Sequence, residues 1–147
     1  MKNALSKTII AVLFLSMLMS CHKNNENNCL PVIVNGSQTD IRGDWKQVKG
    51  QTVFYNPKTI DYSCNNIVYH FKTNDSLIID SDVTSPIGYE SGIYNYQFTL
   101  ESLYNDPKEK FTLKIGNINW SCGISGSDLI INSAPVDGPI LYLVRIK

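Results

Sequence analysis

Apolar and polar residues alternate along most of the chain after residue 43, and this alternation predicts antiparallel strands. The clearest run is 94–100, where Tyr94, Tyr96 and Phe98 share one parity and polar residues occupy the other. Successive side chains of a strand point to opposite faces, so a period of two is typical of a strand with one buried face. No stretch after residue 21 has the spacing of an amphipathic helix. The pattern therefore predicts an all-β domain.

Turn-forming residues separate about eight such runs. Asp106-Pro107, Gly116-Asn117 and Asp137-Gly138-Pro139 are typical of tight turns between strands. Short, evenly spaced strands favour an up-and-down barrel or a sandwich, and closure of the sheet removes its exposed edges. We predict an antiparallel up-and-down eight-stranded barrel over residues 41–147.

The two ends of this barrel domain are expected to meet. An even number of alternating strands brings the start of the first strand and the end of the last to the same end of the barrel. Trp45 lies near the start of the first strand and Arg145 near the end of the last. We expect the guanidinium to lie over the indole face, a contact that contributes about 0.5–2 kcal/mol.

The first 20 residues have the pattern of a secretory signal peptide. Lys2 and Lys7 precede the apolar run 9–19, which is too short to span a membrane comfortably. Ser20-Cys21 ends a segment that resembles the lipobox of bacterial lipoproteins, in which the cysteine becomes the acylated first residue of the mature protein. An ordinary secretory signal with an incidental cysteine is the alternative. We predict a signal peptide over 1–20, and a lipidated Cys21 with a polar tether over 21–40.

The chain resembles the lipocalin-like lipoproteins of the Bacteroides group. The resemblance rests on Gly43-Asp44-Trp45, Arg145, Asp137-Gly138-Pro139 and the lipobox, and it covers about 41–147. It implies that Trp45 belongs to the Gly-x-Trp motif of lipocalins and that Arg145 packs over it. It also implies a non-enzymatic barrel, anchored by lipid to the outer membrane of a bacterial cell envelope, that binds a small hydrophobic ligand. The C-terminal helix of larger lipocalins has no counterpart before Lys147.

The inward parity of the strands gathers many aromatic residues. One interpretation is an apolar cavity that binds a lipid-like molecule at the open end of the barrel. The alternative is a filled core, with the barrel acting as a protein-interaction or accessory module of the outer membrane. The candidate ligand-lining residues are Tyr69, Phe71, Tyr94, Tyr96, Phe98, Trp120, Leu141 and Leu143. Gln47 and Lys49 also point inward on this parity unless a β-bulge intervenes.

The outward parity of the last strand is also apolar, with Ile140, Tyr142, Val144 and Ile146. A sheet face of this composition is expected to be covered. The segment 30–34 is one candidate cover, and a partner protein is the other.

Charge and chemical motifs exclude several functions. The chain has 13 basic and 13 acidic residues, and loss of residues 1–20 with Lys2 and Lys7 leaves 11 basic residues and a formal charge of −2. Because only two arginines are present, we predict no nucleic-acid partner. His70 is expected on the outer face of its strand. We find no nucleophile motif, phosphate loop or zinc spacing, and predict no enzymatic activity, cofactor or metal.

Three cysteines remain when Cys21 is acylated, so one of them stays unpaired. An exported location permits disulfides. We expect a bond that involves Cys29, with a buried free Cys122 as the alternative.

Overall fold

The computed structural model describes Cys29 and residues 31–147. The predicted signal peptide and the predicted lipidation site Cys21 lie outside the described residues. Within these described residues there are nine strands and one 3₁₀ turn at Ala134–Val136. The strands are β1 (Gly43–Thr52), β2 (Lys58–Asp61), β3 (Ile67–Phe71), β4 (Ser76–Ser81), β5 (Gly92–Thr99), β6 (Phe111–Ile115), β7 (Ile118–Ser125), β8 (Asp128–Asn132) and β9 (Ile140–Ile146).

The strands form a single antiparallel sheet that closes on itself. The order is β2-β1-β3-β4-β5-β6-β7-β8-β9, and β1 also pairs with β9. Both β2 and β3 pair with the same side of β1, β2 with residues 49–52 and β3 with residues 43–46. These two short strands therefore occupy one strand position, and the closed barrel has eight positions. The predicted all-β, eight-stranded, up-and-down barrel is confirmed.

The short strand β2 was not predicted from the sequence. Three of its four residues are exposed, so its burial pattern carries no alternation of apolar and polar positions. Its position is set by the hairpin from β1, in which Thr52 pairs with Lys58. Tyr62 then continues the pairing by donating its backbone N–H to the carbonyl of Val48 at 2.8 Å. A mostly exposed strand that is held by pairing with its neighbour needs no alternation of apolar and polar residues, so its sequence does not identify it.

The hydrophobic core lies inside the barrel. Most of its residues come from the parity that the sequence assigned to the interior, and many are completely buried. The largest fully buried side chains are Trp45, Tyr69, Phe71, Ile41, Ile67, Leu77, Ile79, Leu113, Ile115, Leu129, Ile131 and Leu141. A barrel of eight strands is just wide enough to be filled by such side chains.

A β-bulge in β1 changes the direction of its second half. The pairing with β9 shifts register between Gln47 and Lys49. Gln47 faces the interior and is fully buried, as the parity predicts. Lys49 instead points outward, because the extra residue at Val48 reverses the parity, and Gly50 takes the inward position next to Ile87. Of the two placements that the sequence left open for Lys49, the structure therefore has the one with a bulge.

Candidate functional site

The contact predicted between Trp45 and Arg145 is present at one end of the barrel, which we call the closed end. The guanidinium carbon of Arg145 lies 4.1 Å from the centroid of the Trp45 ring. The indole N–H donates a hydrogen bond of 2.7 Å to the carbonyl of Ile41. The cation–π contact and the hydrogen bond together fix the Trp45 ring between β9 and the chain that leads into β1.

The chain before β1 surrounds the Arg145 guanidinium with backbone carbonyls. Arg145 donates to the carbonyls of Arg42 and Asp40, each at 2.8 Å. Gly36 packs so close that a Cβ atom there would lie 2.5 Å from the Arg145 Nε atom. Burial lowers the pKa of the guanidinium from its ordinary value. Arg145 thus ties the entering chain to the last strand, which is a structural role.

The eight predicted ligand-lining residues all pack on the interior. Six of them are buried, whereas Tyr94 and Phe98 are partly exposed. Their rings pack against one another: Phe71 meets Tyr96 edge-on at 5.0 Å, and Phe98 lies 5.2 Å from Phe111. Such aromatic pairs contribute about 0.5–1.5 kcal/mol each beyond the area they bury. Most of this interior surface is therefore used in packing.

The segment 82–91 folds over the opposite end of the barrel, which we call the mouth. Pro86 is buried, and Ile87 packs against the core. The Ile87 backbone N–H donates to the Tyr62 hydroxyl at 2.9 Å, and the Ile87 carbonyl accepts from Gln47 Nε2 at 2.8 Å. The buried amide of Gln47 is thereby paired with the segment that closes the mouth.

Tyr89 continues this network across the mouth. Its hydroxyl accepts a hydrogen bond of 2.8 Å from Trp120 Nε1, and its backbone N–H donates to the Tyr69 hydroxyl at 3.4 Å. Tyr69 donates in turn to Gln47 Oε1 at 3.1 Å. Burial raises the pKa of Tyr89 to about 12 and the pKa of Tyr69 above its ordinary value. Both phenols are neutral near pH 7, so the mouth holds paired neutral groups.

An N-terminal strap, comprising Cys29 and residues 31–40, crosses the outside of the barrel. Cys29 forms a disulfide with Cys64, and its carbonyl accepts from Lys46 Nζ at 3.2 Å. Farther along, Ile33 pairs with Ile146. Within the predicted tether over 21–40, this part is therefore attached to the barrel by covalent and hydrogen bonds.

The strap explains why one outer row of side chains is buried. Val68, Lys46 and Val144 are register partners on adjacent strands and face outward. Their exposed fractions are only 7%, 9% and 8%. The row lies between the two attachments of the strap, at Cys64 and at the end of β9. The segment predicted to cover the last strand thus reaches it.

A groove remains open next to the strap, and we call it the outer groove. It has a volume of about 610 Å³. Its lining residues are Val48, Lys49, Asp61, Ser63, Asp128, Leu129, Ile130, Tyr142, Leu143 and Val144. The ammonium of Lys49 lies 3.6 Å from the centroid of the Tyr142 ring, and the Tyr142 hydroxyl donates to Gln51 at 3.3 Å. The strap therefore covers only part of the apolar outer face of β9.

His70 lies on the outer face, as predicted. Its Nδ1 atom is 2.8 Å from a carboxylate oxygen of Asp44, and its Nε2 atom is 3.2 Å from one of Asp80. Both ring nitrogens are thus engaged across neighbouring strands. Among the described residues, no group of three or more His, Cys, Asp or Glu side chains is arranged to hold a metal ion.

Both outcomes that the sequence left open for the cysteines are present: a disulfide that involves Cys29 and a buried free Cys122. The bond that involves Cys29 is confirmed, and its partner is Cys64, 35 residues away. Cys122 is a buried free thiol, and burial raises its pKa to about 12. The break between β2 and β3 exposes Cys64 beside the strap, whereas Cys122 faces the core.

Comparison with known proteins identifies no relative: no family model, no curated protein and no solved structure matches the chain. Within residues 29 and 31–147, no helix has the length and apolar character needed to cross a membrane.

Two parts of this arrangement were missed by sequence reasoning. The closure of the mouth depends on segment 82–91, in which Pro86 and Gly88 interrupt any strand pattern. Its apolar Ile87 and Tyr89 are the only local indication that it packs inward. The outer groove depends on the β-bulge in β1, because the bulge turns Lys49 outward. No residue type around position 48 marks this bulge in the sequence.

Proposed function

We propose that this protein is a non-enzymatic interaction module, a filled β-barrel that binds a protein partner through the outer groove. The observation that supports this most strongly is the contrast between the two faces of the barrel wall. The inner face is packed and its mouth is closed, whereas the outer face at β1, β8 and β9 carries an open groove of about 610 Å³.

The packed interior supports the proposal because it leaves little surface for a ligand. Leu141 and Leu143 on the last strand have exposed fractions of 0% and 1%. The polar groups at the mouth, Gln47, Tyr69 and Trp120, already have hydrogen-bond partners within the chain. A ligand entering here would have to replace these bonds, and displaced buried donors cost about 1–3 kcal/mol each.

The outer groove supports the proposal because its floor combines apolar and polar side chains. Tyr142 and Ile130 are register partners, and both are partly exposed. Recognition surfaces are enriched in aromatic residues with polar neighbours, and Tyr142 has Lys49 on its ring and Asp61 beyond it.

The proposal includes the location inferred from the N-terminus. A Cys21 with acyl chains would hold the barrel at the outer membrane of a bacterial cell envelope, because each buried methylene contributes about 0.8 kcal/mol. Cys29 is fixed to the barrel by its disulfide, so only residues 22–28 would separate the lipid from the folded domain.

Site-specific photo-crosslinking in the producing cells tests this function. A photoreactive benzoylphenylalanine is introduced in place of Tyr142 and, as a matched control, in place of Gln97. Gln97 is an exposed residue of β5, which lies four strand positions from β9 in either direction around the barrel. We expect a saturable adduct of defined mass from position 142 and none from position 97. Equal labelling at both positions, or none at 142, would reject the proposal.

A second candidate function is the binding of a small apolar ligand at the mouth. The partial exposure of the inward-facing ring of Tyr94 favours it, because this ring packs 5.2 Å from Tyr89 of the mouth segment and is reachable from solvent. The test is native mass spectrometry of the full-length protein after incubation with a lipid extract of its own envelope. A discrete added mass that disappears with Tyr94→Ser supports this candidate, and a bare mass rejects it.

A further inference from the structure

The outer groove contains a straight row of side chains that crosses four strands. Asp61 of β2 pairs with Lys49 of β1, Lys49 pairs with Tyr142 of β9, and Tyr142 pairs with Ile130 of β8. Register partners share a face, so all four side chains point outward. Adjacent strands are about 4.8 Å apart, which makes the row about 14 Å long. Asp128 lies two residues from Ile130 on the same face of β8 and also lines the groove.

Carboxylates lie at two ends of the outer groove: Asp61 ends the row at β2, and Asp128 lies beside its other end on β8. Asp61 and Asp128 are exposed carboxylates, and within the described part of the chain neither forms an ion pair. The backbone N–H of Ser63 lowers the pKa of Asp61, so this carboxyl is ionised at neutral pH. The single cation, Lys49, does not turn to Asp61 but lies over the Tyr142 ring in the middle of the row.

We infer that the outer groove binds an extended protein segment with the pattern basic-x-apolar-x-basic. This inference rests on the proposed function and specifies the chemistry of the partner. The two basic side chains would pair with Asp61 and Asp128, and the apolar side chain would lie on Tyr142 and Ile130. Lys49 repels a cation at the centre of the groove, so the middle residue has to be uncharged.

The spacing of the partner follows from the geometry of an extended chain. Side chains at i, i+2 and i+4 share one face and cover about 13 Å, close to the length of the row. The flexible stems of lysine and arginine cover the remaining distance to Asp128. A helical segment would place i and i+4 only about 6 Å apart and would reach one carboxylate at a time.

Peptide binding by the full-length protein in detergent micelles tests this inference. The probe is a fluorescein-labelled Lys-Thr-Val-Thr-Lys peptide with blocked ends, measured by fluorescence anisotropy. The controls are the same composition with adjacent lysines and a peptide with lysine at the centre. We expect the spaced peptide to bind tighter than either control, and salt to weaken its binding because the contacts are exposed ion pairs.

Variants of the protein assign the contacts. Asp61→Asn and Asp128→Asn should each weaken binding about 1.4- to 5-fold, the range expected for one exposed ion pair. Glu101→Gln, which removes an exposed carboxylate elsewhere, should leave binding unchanged. The double variant Asp61→Lys/Asp128→Lys should prefer a Glu-Thr-Val-Thr-Glu peptide. This reversal would not follow from a general loss of structure.

Two results would overturn the inference. One is equal affinity for the spaced peptide and the adjacent-lysine control, and the other is an unchanged affinity in both asparagine variants. If crosslinks form at position 142 while the spaced peptide fails to bind, the proposed function stands and only this partner chemistry is rejected. If no crosslink forms at position 142, the proposed function itself fails.

Discussion

Replacing Arg145 by alanine tests how the closed end of the barrel is held together. The substitution removes the cation–π contact with Trp45, which contributes about 0.5–2 kcal/mol. It also removes two 2.8 Å hydrogen bonds from a charged group to the carbonyls of Asp40 and Arg42. Hydrogen bonds of charged groups contribute about 1.5–3 kcal/mol each, but water entering the vacated space recovers part of that. We expect a net loss of about 3 kcal/mol.

The assay is thermal and urea unfolding of the variant beside the wild-type protein. For a domain of this size, 3 kcal/mol corresponds to a fall in Tm of about 10 °C. Arg42→Ala is the matched control, because the side chain of the only other arginine is exposed and pairs with Asp40 in its own turn. Arg145→Lys should fall between the two, since an ammonium cannot reach both carbonyls at once. If Arg145→Ala and Arg42→Ala lowered the Tm equally, the proposed role of Arg145 would be wrong.

Three further measurements test the strap, the core and the ion pair of the entering turn. The double variant Cys29→Ser/Cys64→Ser should lose about 3–4 kcal/mol in urea unfolding, since the bond spans 35 residues; no change would mean that the strap is held without it. Cys122 should resist iodoacetamide at pH 8 in the native protein and react in denaturant, because burial raises its pKa to about 12; rapid native alkylation would contradict its burial. The hydrogen bond from Arg42 lowers the pKa of Asp40 below 3.8, so this ionised carboxylate stabilises the fold above that pH and loses the effect as the pH falls through its folded value. An NMR titration should show the pKa of Asp40 rising in Arg42→Gln, and an unchanged value would refute the pairing.

Much of the fold could be predicted from the alternation of residues because one face of each strand is buried. The run Tyr94, Tyr96, Phe98 placed β5 and its inward side correctly. The meeting of Trp45 and Arg145 followed from strand count alone, since an even number of strands returns the chain to the end where it began.

The parts that could not be predicted depend on tertiary contacts. Lys49 leaves the interior because of a one-residue bulge, which shifts every following side chain to the other face. Cys64 became the partner of Cys29 because β2 and β3 are interrupted at 62–66. Local composition contains neither fact. The outer groove could not be predicted because its residues come from four strands that lie side by side only in the folded barrel.

One measurement separates recognition on the outer groove from binding inside the barrel. Amide and indole signals of the ¹⁵N-labelled full-length protein are recorded by NMR before and after addition of the spaced basic peptide and, separately, of envelope lipid extract. The proposed function predicts that the peptide shifts the amide signals of Lys49, Ile130 and Tyr142, and that the Trp120 indole N–H signal stays in place with either addition. A shift of the Trp120 indole signal with the lipid extract, with the outer amides unchanged, would contradict it and make the barrel a ligand carrier.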